Sequence, residues 1–432
     1  ARLQPQILYD ELTGLCTRRG LLEKVDWPQT RPSVLVLIGL DRFRSINDTV
    51  GFSTVDVLLQ TIALRLQHHI DRDALLARVG GDEFAVLAPL PAEAETAPIA
   101  FGERLQALFE APFACGADAL TLSVSLGVVA GRLAACELPE WLRRASIALG
   151  AAKRRPGSPP VVFSAAMLDS SLEHARLVTA LRRALQLNEF VVHYQPIVDL
   201  ANQRPIGVEA LVRWQSPERG LVPPGVFIPV AEESDLILEI DERVLRLACS
   251  EVARQLEALP DDFDLHVNLS PRQLIQANFF STLEEILRTS GLPPERLTLE
   301  LTESQLVEED QAISERLRRI RDLGCRIAID DFGTGYSSLA YLSRLPFDCL
   351  KIDKHFVQKM QTSPQDASII TGVLHMARGF GVNVVAEGVE TAAEAACLKV
   401  MGCPQGQGYY FGRPAPLEAL TSAARPAPVP PG

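Results

Sequence analysis

The stretch RIAIDDFGTGYSS, residues 326–338, runs an apolar strand into two adjacent carboxylates, Asp330 and Asp331, and then into a glycine-rich loop. In a regular strand neighbouring side chains point to opposite faces, so both carboxylates can serve one site only where the strand ends and the backbone turns. A metal ion would account for that arrangement. For an isolated Asp-Asp-x-Gly, an Asp-rich turn would account for it as well, so the rest of the chain has to decide.

Outward from this point, residues 188–424 alternate apolar strands with amphipathic helices between most of them. The strands fall near 190–197, 206–213, 264–269, 297–301, 325–330, 348–352, 382–386 and 407–411. This pattern predicts a TIM-like (β/α)8 barrel, in which chemistry sits at the C-terminal strand ends. An open doubly wound sheet would want a glycine-rich phosphate loop after its first strand, which Gln195-Pro196-Ile197-Val198-Asp199 does not supply. The polar residues at the strand ends read, in order, Glu209, Asn268, Glu300, Asp330 with Asp331, Lys351 with Asp353, and Glu387. One acid at a strand end is an ordinary solvated cap, but so many around one mouth would repel one another without cations. Oxygen donors without His or Cys select hard ions, Mg2+, Mn2+ or Ca2+. Two such ions spanning one phosphate oxygen form a clamp for phosphoester hydrolysis, with Lys351 placed to donate to the attacking water or the phosphate.

These residues stand in VEALVRW (208–214), HVNLS (266–270), LELTES (299–304), DDFGTGYSSL (330–339), LKID (350–353), VVAEGVET (384–391) and QGYYFGRP (407–414). In that order, they resemble the EAL domain family, metal-dependent phosphodiesterases that open cyclic di-GMP to linear pGpG. The resemblance implies Glu209, Asn268, Glu300 and Asp330 as metal ligands, Asp331 at a second Mg2+ or Mn2+, and Glu387 close to the pair. It implies Lys351 as the residue orienting the nucleophilic water, Arg213 on a phosphate, Gln407 near the metal-bound end of the substrate, and Asp353 beside the substrate. Glu303 is similar to the glutamate that anchors the loop at 333–338, which in the family is also a dimerisation switch, so a homodimer is expected. Structural readings stand beside three of these roles: Asp353 as a salt-bridge acid, Glu303 as a helix-cap partner of Thr302 or Ser304, and Arg213 as the ion-pair partner of Glu209.

Residues 1–163 read as a compact α+β or α/β unit, with apolar runs at 34–40 and 84–87, a helical pattern at 97–109 and an alternating strand at 120–129. Pro and Gly break the pattern at 151–160, and 164–187 reads as one connecting helix with Leu168, Leu172, Leu177, Leu181 and Leu185 as its apolar stripe. Gly80-Gly81-Asp82-Glu83-Phe84 suits a tight hairpin able to approach a triphosphate. With DELTGLCTRR from Asp10, SINDTVG from Ser45 and SVSLGV from Ser123, it resembles the nucleotide-cyclase-like GGDEF domain of diguanylate cyclases. That family holds Mg2+ with one carboxylate from the turn, here Asp82, and one from the first strand, where this chain has Gly39. The guanine-reading pair is matched by Asn47 and Asp56, and the phosphate-facing lysine by Lys153. Gly157, Phe52 and Ser146 depart from the family pattern, and 71–74 reads Asp-Arg-Asp-Ala where an inhibitory Arg-x-x-Asp would stand. The resemblance implies a degenerate domain that binds GTP with little or no synthesis; a scaffold that binds nothing is the alternative.

The 432 residues carry a formal net charge of −12 and no basic run, which argues against a nucleic-acid duplex as partner. The eight cysteines are scattered without zinc-ligand spacing and read as reduced thiols. No apolar run has the length of a membrane span. The chain reads as cytoplasmic, or as the cytoplasmic part of a larger sensor or membrane protein, with residues 425–432 as a disordered tail. The expected function is cyclic di-GMP hydrolysis under a regulatory, GTP-binding domain. The rival readings are a catalytically silent cyclic di-GMP receptor and a bifunctional enzyme with residual synthesis.

Overall fold

The structure, a computed structural model, describes residues 8–25, 32–90, 97–115, 118–132, 137–303, 311–333 and 342–423. Residues 334–338 of the glycine-rich loop, Ser304, Cys136 and the tail at 425–432 therefore lie outside the described residues, as does the side chain of Phe52. The chain divides into two compact units, Ala1–Ala175 and Arg176–Gly432.

The first unit is built on a six-stranded sheet in the order β1-β3-β4-β2-β7-β8. Its strands are β1 (Cys16–Thr17), β2 (Pro32–Leu40), β3 (Leu75–Arg78), β4 (Glu83–Pro89), β7 (Val124–Arg132) and β8 (Val161–Val162), while β5 (Phe113–Cys115) and β6 (Asp118–Leu120) form a separate ribbon. β2 lies centrally, antiparallel to β4 and β7. Its alternate residues enter two cores: Val34, Val36 and Ile38 pack with Leu58, Ile62 and Phe84, whereas Leu35 and Leu37 pack with Trp141, Leu142 and Leu149. A strand covered on both faces has to be apolar throughout, hence the unbroken run at 34–40. A Cβ on Gly127 of β7 would lie 2.3 Å from the Ala145 carbonyl oxygen and the Leu149 nitrogen, so glycine there lets helix Leu138–Lys153 press on the sheet. The strand expected at 120–129 is two elements. Asp118–Leu120 turns back to pair with Phe113–Cys115, and the Ser123 carbonyl instead accepts the Asp41 amide.

In the second unit eight strands close a barrel: β9 (Phe190–Asp199), β10 (Pro205–Ser216), β12 (Asp264–Asn268), β13 (Leu297–Thr302), β14 (Arg326–Phe332), β15 (Cys349–Ile352), β16 (Asn383–Ala386) and β17 (Gln405–Gln407). A short β11 (Gly220–Val222) flanks β10. Strands β10 and β12 to β17 run parallel, but β9 is antiparallel to both its neighbours, β10 and β17. One of the eight is thus reversed relative to a regular (β/α)8 barrel. The reason is local: the Asp199 side chain accepts from the amides of Ala201 and Asn202, and the Gln203 amide bonds the Asp199 carbonyl, making a hairpin where a crossover helix would otherwise stand.

The last strand, expected at 407–411, ends at Gln407 because the Gly408 carbonyl accepts from Phe411 and Gly412, which closes a turn. Helix Ala165–Leu187 buries Leu177, Leu181 and Ala184, but Leu172 of the expected stripe is 58% exposed, so the apolar face starts at Leu177. Phe279, Phe280 and Leu283 are core residues. Among the described residues no helix is long and apolar enough to cross a membrane, and the seven described cysteines are free, all but Cys397 buried.

Candidate functional site

Register brings the polar strand-end residues of the barrel together. Glu209 on β10 lies opposite Gln195 on β9 and His266 on β12, and Asn268 lies opposite Glu300 on β13. Lys351, fully buried on β15, is the hub. Its Nζ lies 2.6 Å from Glu387 Oε1, 2.7 Å from Glu300 Oε2, 3.4 Å from Glu209 Oε2 and 3.6 Å from Asp330 Oδ1. Glu209 also accepts from Asn268 Nδ2 at 2.8 Å and from Gln407 Nε2 at 2.6 Å.

The two adjacent carboxylates are resolved by backbone geometry. Asp331 has φ +53°, in the left-handed region, and the β14–β15 ladder is interrupted between Ile329 and Phe332. That irregularity cancels the strict alternation of a strand. Asp330, Asp331 and Glu387 each offer an oxygen within 4.8 Å of the others. Asp353 caps helix Lys354–Lys359 by accepting from the His355 amide at 2.8 Å.

Charge dominates the electrostatics. Burial raises the Glu300 and Glu387 carboxyls well above their usual range, and Lys351 only partly opposes this. Glu209 is also penalised by burial, yet Lys351, Gln407 and Asn268 hold it below its usual value. Burial alone would lower Lys351, but Asp330, Glu209, Glu300 and Glu387 together raise it well above the usual range. Burial, with Asp330 and Asp353 behind it, pushes Asp331 up to about 6. One ammonium thus serves six carboxylates, counting Asp353, and the cluster is poised to trade protons for cations. The donor set fits hard divalent ions: it is all oxygen, and Gln407 Oε1 is buried with no hydrogen-bond partner among the described residues.

Arg213 is half-buried and donates to the Val212 carbonyl at 2.8 Å; no ion pair to Glu209 forms among the described residues. Glu303 Oε2 accepts the Gly333 amide at 2.8 Å, a bond to the start of the loop. Two buried residues were missed by sequence reasoning. His266 Nδ1 lies 2.7 Å from Glu300 Oε1 and is held neutral, its pKa pushed down to about 4 by burial and then by Lys351. Gln195 accepts from Gln407 Nε2 at 3.1 Å and donates to the Gly412 carbonyl. His266 stands two residues before Asn268 on the same strand face, and that spacing is the signal that could have found it.

In the first unit Asp82 and Lys153 line one cavity of about 450 Å3 together with Leu40, Asp41, Arg42, Phe43 and Pro156. Asn47 lies on helix Phe43–Val50 and Asp56 is exposed on helix Phe52–His69; neither lines that cavity. Lys153 Nζ stands 3.7 Å from Asp82 Oδ2 and 3.6 Å from Glu83 Oε1. The turn is braced from behind, since Arg78 donates to the Gly81 carbonyl at 2.7 Å and to Asp10 at 3.2 Å. A Mg2+ or Mn2+ held jointly by this turn and the first strand does not fit these residues. Gly39 supplies no side-chain oxygen, and Asp41 already accepts from Ser123 Oγ at 2.6 Å and Ser125 Oγ at 2.7 Å.

Comparison with known proteins agrees with both halves of this description. Residues 178–414 match the EAL domain family, and residues 7–158 match the family described as diguanylate cyclase, GGDEF domain. A Mycobacterium tuberculosis protein, Rv1354c, is 39% identical over 426 residues, spanning 97% of this chain and 68% of its own length. The bifunctional diguanylate cyclase/cyclic di-GMP phosphodiesterase MucR of Pseudomonas aeruginosa is 35% identical over 422 residues, 96% of this chain and 61% of MucR. A solved structure described as the PaMucR phosphodiesterase in complex with c-di-GMP aligns with TM-score 0.55 and 42% identity, covering 57% of this chain and 99% of its own.

Proposed function

Because the chain belongs to the EAL domain family and carries a GGDEF domain ahead of it, we propose that its barrel hydrolyses cyclic di-GMP to pGpG with Mg2+ or Mn2+, under the control of a first domain that binds GTP. The observation that carries this reading is the complete acid set around one buried lysine: Glu209, Glu300, Asp330 and Glu387 face Lys351. Glu209, Asn268, Glu300, Asp330 and Asp331 would hold two ions. Bound there, divalent cations supply a water acidic enough to act as nucleophile at neutral pH and offset charge on the phosphate.

The chain's own residues do the rest. Lys351, charged throughout the neutral range, orients the attacking water and balances the acids when a phosphodiester enters. Arg213 supplies a guanidinium for a phosphate oxygen. Gln407 presents its free Oε1 beside Glu209 and fixes the near end of the substrate, with Asp353 on the other side. His266, neutral, donates to Glu300 and holds that carboxylate in one orientation. Glu303 keeps the start of the glycine-rich loop in place through the Gly333 amide. The proposed protein is a cytoplasmic homodimer in which GTP at Asn47, Asp56, Asp82 and Lys153 raises turnover.

The test is pGpG release from cyclic di-GMP with Mg2+, with and without GTP, beside Asp330→Asn. Cleavage that the variant lacks supports the phosphodiesterase, and a GTP-dependent kcat or KM supports the regulation. Tight cyclic di-GMP binding without cleavage would replace this reading with that of a receptor.

A further inference from the structure

We propose that Lys153 has taken the place of a metal ion in the N-terminal unit, so that this domain carries its own cation and recruits no divalent ion at its acidic turn. The inference does not rest on the activity proposed for the barrel. It starts from Gly39. A Cβ built on that residue would lie 2.6 Å from Lys153 Cε, 2.9 Å from Lys153 Nζ and 3.3 Å from Leu149 Cδ1. The tip of the lysine, the far end of a flexible side chain, lies where a side chain at position 39 would begin.

The placement is built into the fold. Leu149 and Lys153 are four residues apart on helix Leu138–Lys153, hence on one face, and Leu149 is buried against the sheet. β2 and β4 set Gly39 directly opposite Glu83. An ammonium arriving from that helix face meets the turn acids at 3.6 Å and 3.7 Å. A divalent ion shared between position 39 and Asp82 would lack a ligand and would sit beside a positive charge, and like charges at such separations repel. Asp41 is engaged elsewhere, with one oxygen accepting from Ser123 and the other from Ser125.

Counting Mn2+ bound per chain, by electron paramagnetic resonance of the free ion, tests the proposal. Asp82→Asn is expected to bind as many ions as the wild type. Gly39→Asp combined with Lys153→Ala is expected to bind one more, and adding Asp82→Asn to that pair is expected to remove it. Gly39→Asp alone is expected to bind the extra ion at least tenfold more weakly, because the lysine still competes. Loss of one ion on Asp82→Asn in the wild-type background would overturn the proposal. So would a combined variant that keeps the wild-type circular dichroism and gains no ion. The Asp82→Asn arm changes one side chain on an accessible turn, so it decides the matter even if the combined variant misfolds. Asp330→Asn, counted in parallel, reports the barrel separately.

Discussion

The two carboxylate sites of this chain differ in what balances them. In the barrel, fully buried Lys351 faces four carboxylates, with Asp331 and Asp353 nearby, and the surplus of negative charge is large. In the N-terminal unit Lys153, 36% exposed, faces Asp82 and Glu83 among the described residues. Replacing one strand carboxylate by glycine therefore does more than delete a ligand. It leaves room for the tip of Lys153 beside the turn acids, whereas the barrel remains short of cations. One site has kept its demand for metal, and the other has satisfied it internally.

The sharpest way to break that contrast is to remove metal. Chelation with EDTA is expected to abolish pGpG release, and Asp330→Asn or Glu209→Ala to lower kcat by about 10²-fold or more. Asp82→Asn, assayed without GTP, is expected to leave kcat within about twofold; an equal loss at both sites would end the distinction. Lys351→Met should come next, with kcat lowered about 10²-fold by the loss of the group that positions the nucleophile. Steady-state kinetics with Mn2+ saturating would expose any residual activity. A smaller effect is expected for Glu303→Ala, which leaves the Gly333 amide without its acceptor. At about 1–1.5 kcal/mol for a lost hydrogen bond, turnover should fall about tenfold, with the metal count unchanged.

The smallest effect concerns the brace behind the N-terminal turn. Burial raises the Asp10 carboxyl, but hydrogen bonds from Thr13 and Arg78 outweigh it and hold the folded pKa below its ordinary 3.8. The unfolded chain then takes up the proton first as pH falls. The stabilisation is present above the ordinary value and is lost as pH drops through the lowered one. Asp10→Asn should cost under about 1 kcal/mol at pH 7, a partly exposed pair being worth little. The gap to wild type should close in acid, as read by denaturant titration at both pH values.

Much of this was legible from residues. The strand-end acids, Asn268 and Lys351 are separated by long stretches of chain, yet a barrel pattern sends every strand end to one mouth, so convergence followed from the periodicity. The left-handed Asp331 did not follow, because a ladder interruption depends on how β15 pairs. Nor did the reversal of β9: Gln195 and Val198 sit in an apolar run that reads the same in either direction. Gln195 was hidden for a related reason, as a polar residue inside a strand whose inward face the sequence leaves unspecified, whereas His266 was marked only by its two-residue spacing from Asn268. Gly39 was seen as a missing ligand. Its other meaning, a glycine in a strand marking the close approach of another group, needed Lys153 to be brought 114 positions back along the chain.

The reversed strand has a further consequence for the order in which the barrel is made. β9 pairs on one side with β10, which follows it within a short hairpin, and on the other with β17, where Gln405 meets Asp199. As the chain leaves the ribosome, the first barrel strand therefore waits with one edge open through the synthesis of some two hundred residues, until β17 emerges to cover it. That pairing has the longest loop of any in the barrel, and an open edge is where strands from other chains add. The hairpin that sets Gln195 beside Glu209 thus leaves the nascent barrel dependent on its final strand, and truncations that remove residues from 405 onward are the ones from which aggregation is expected.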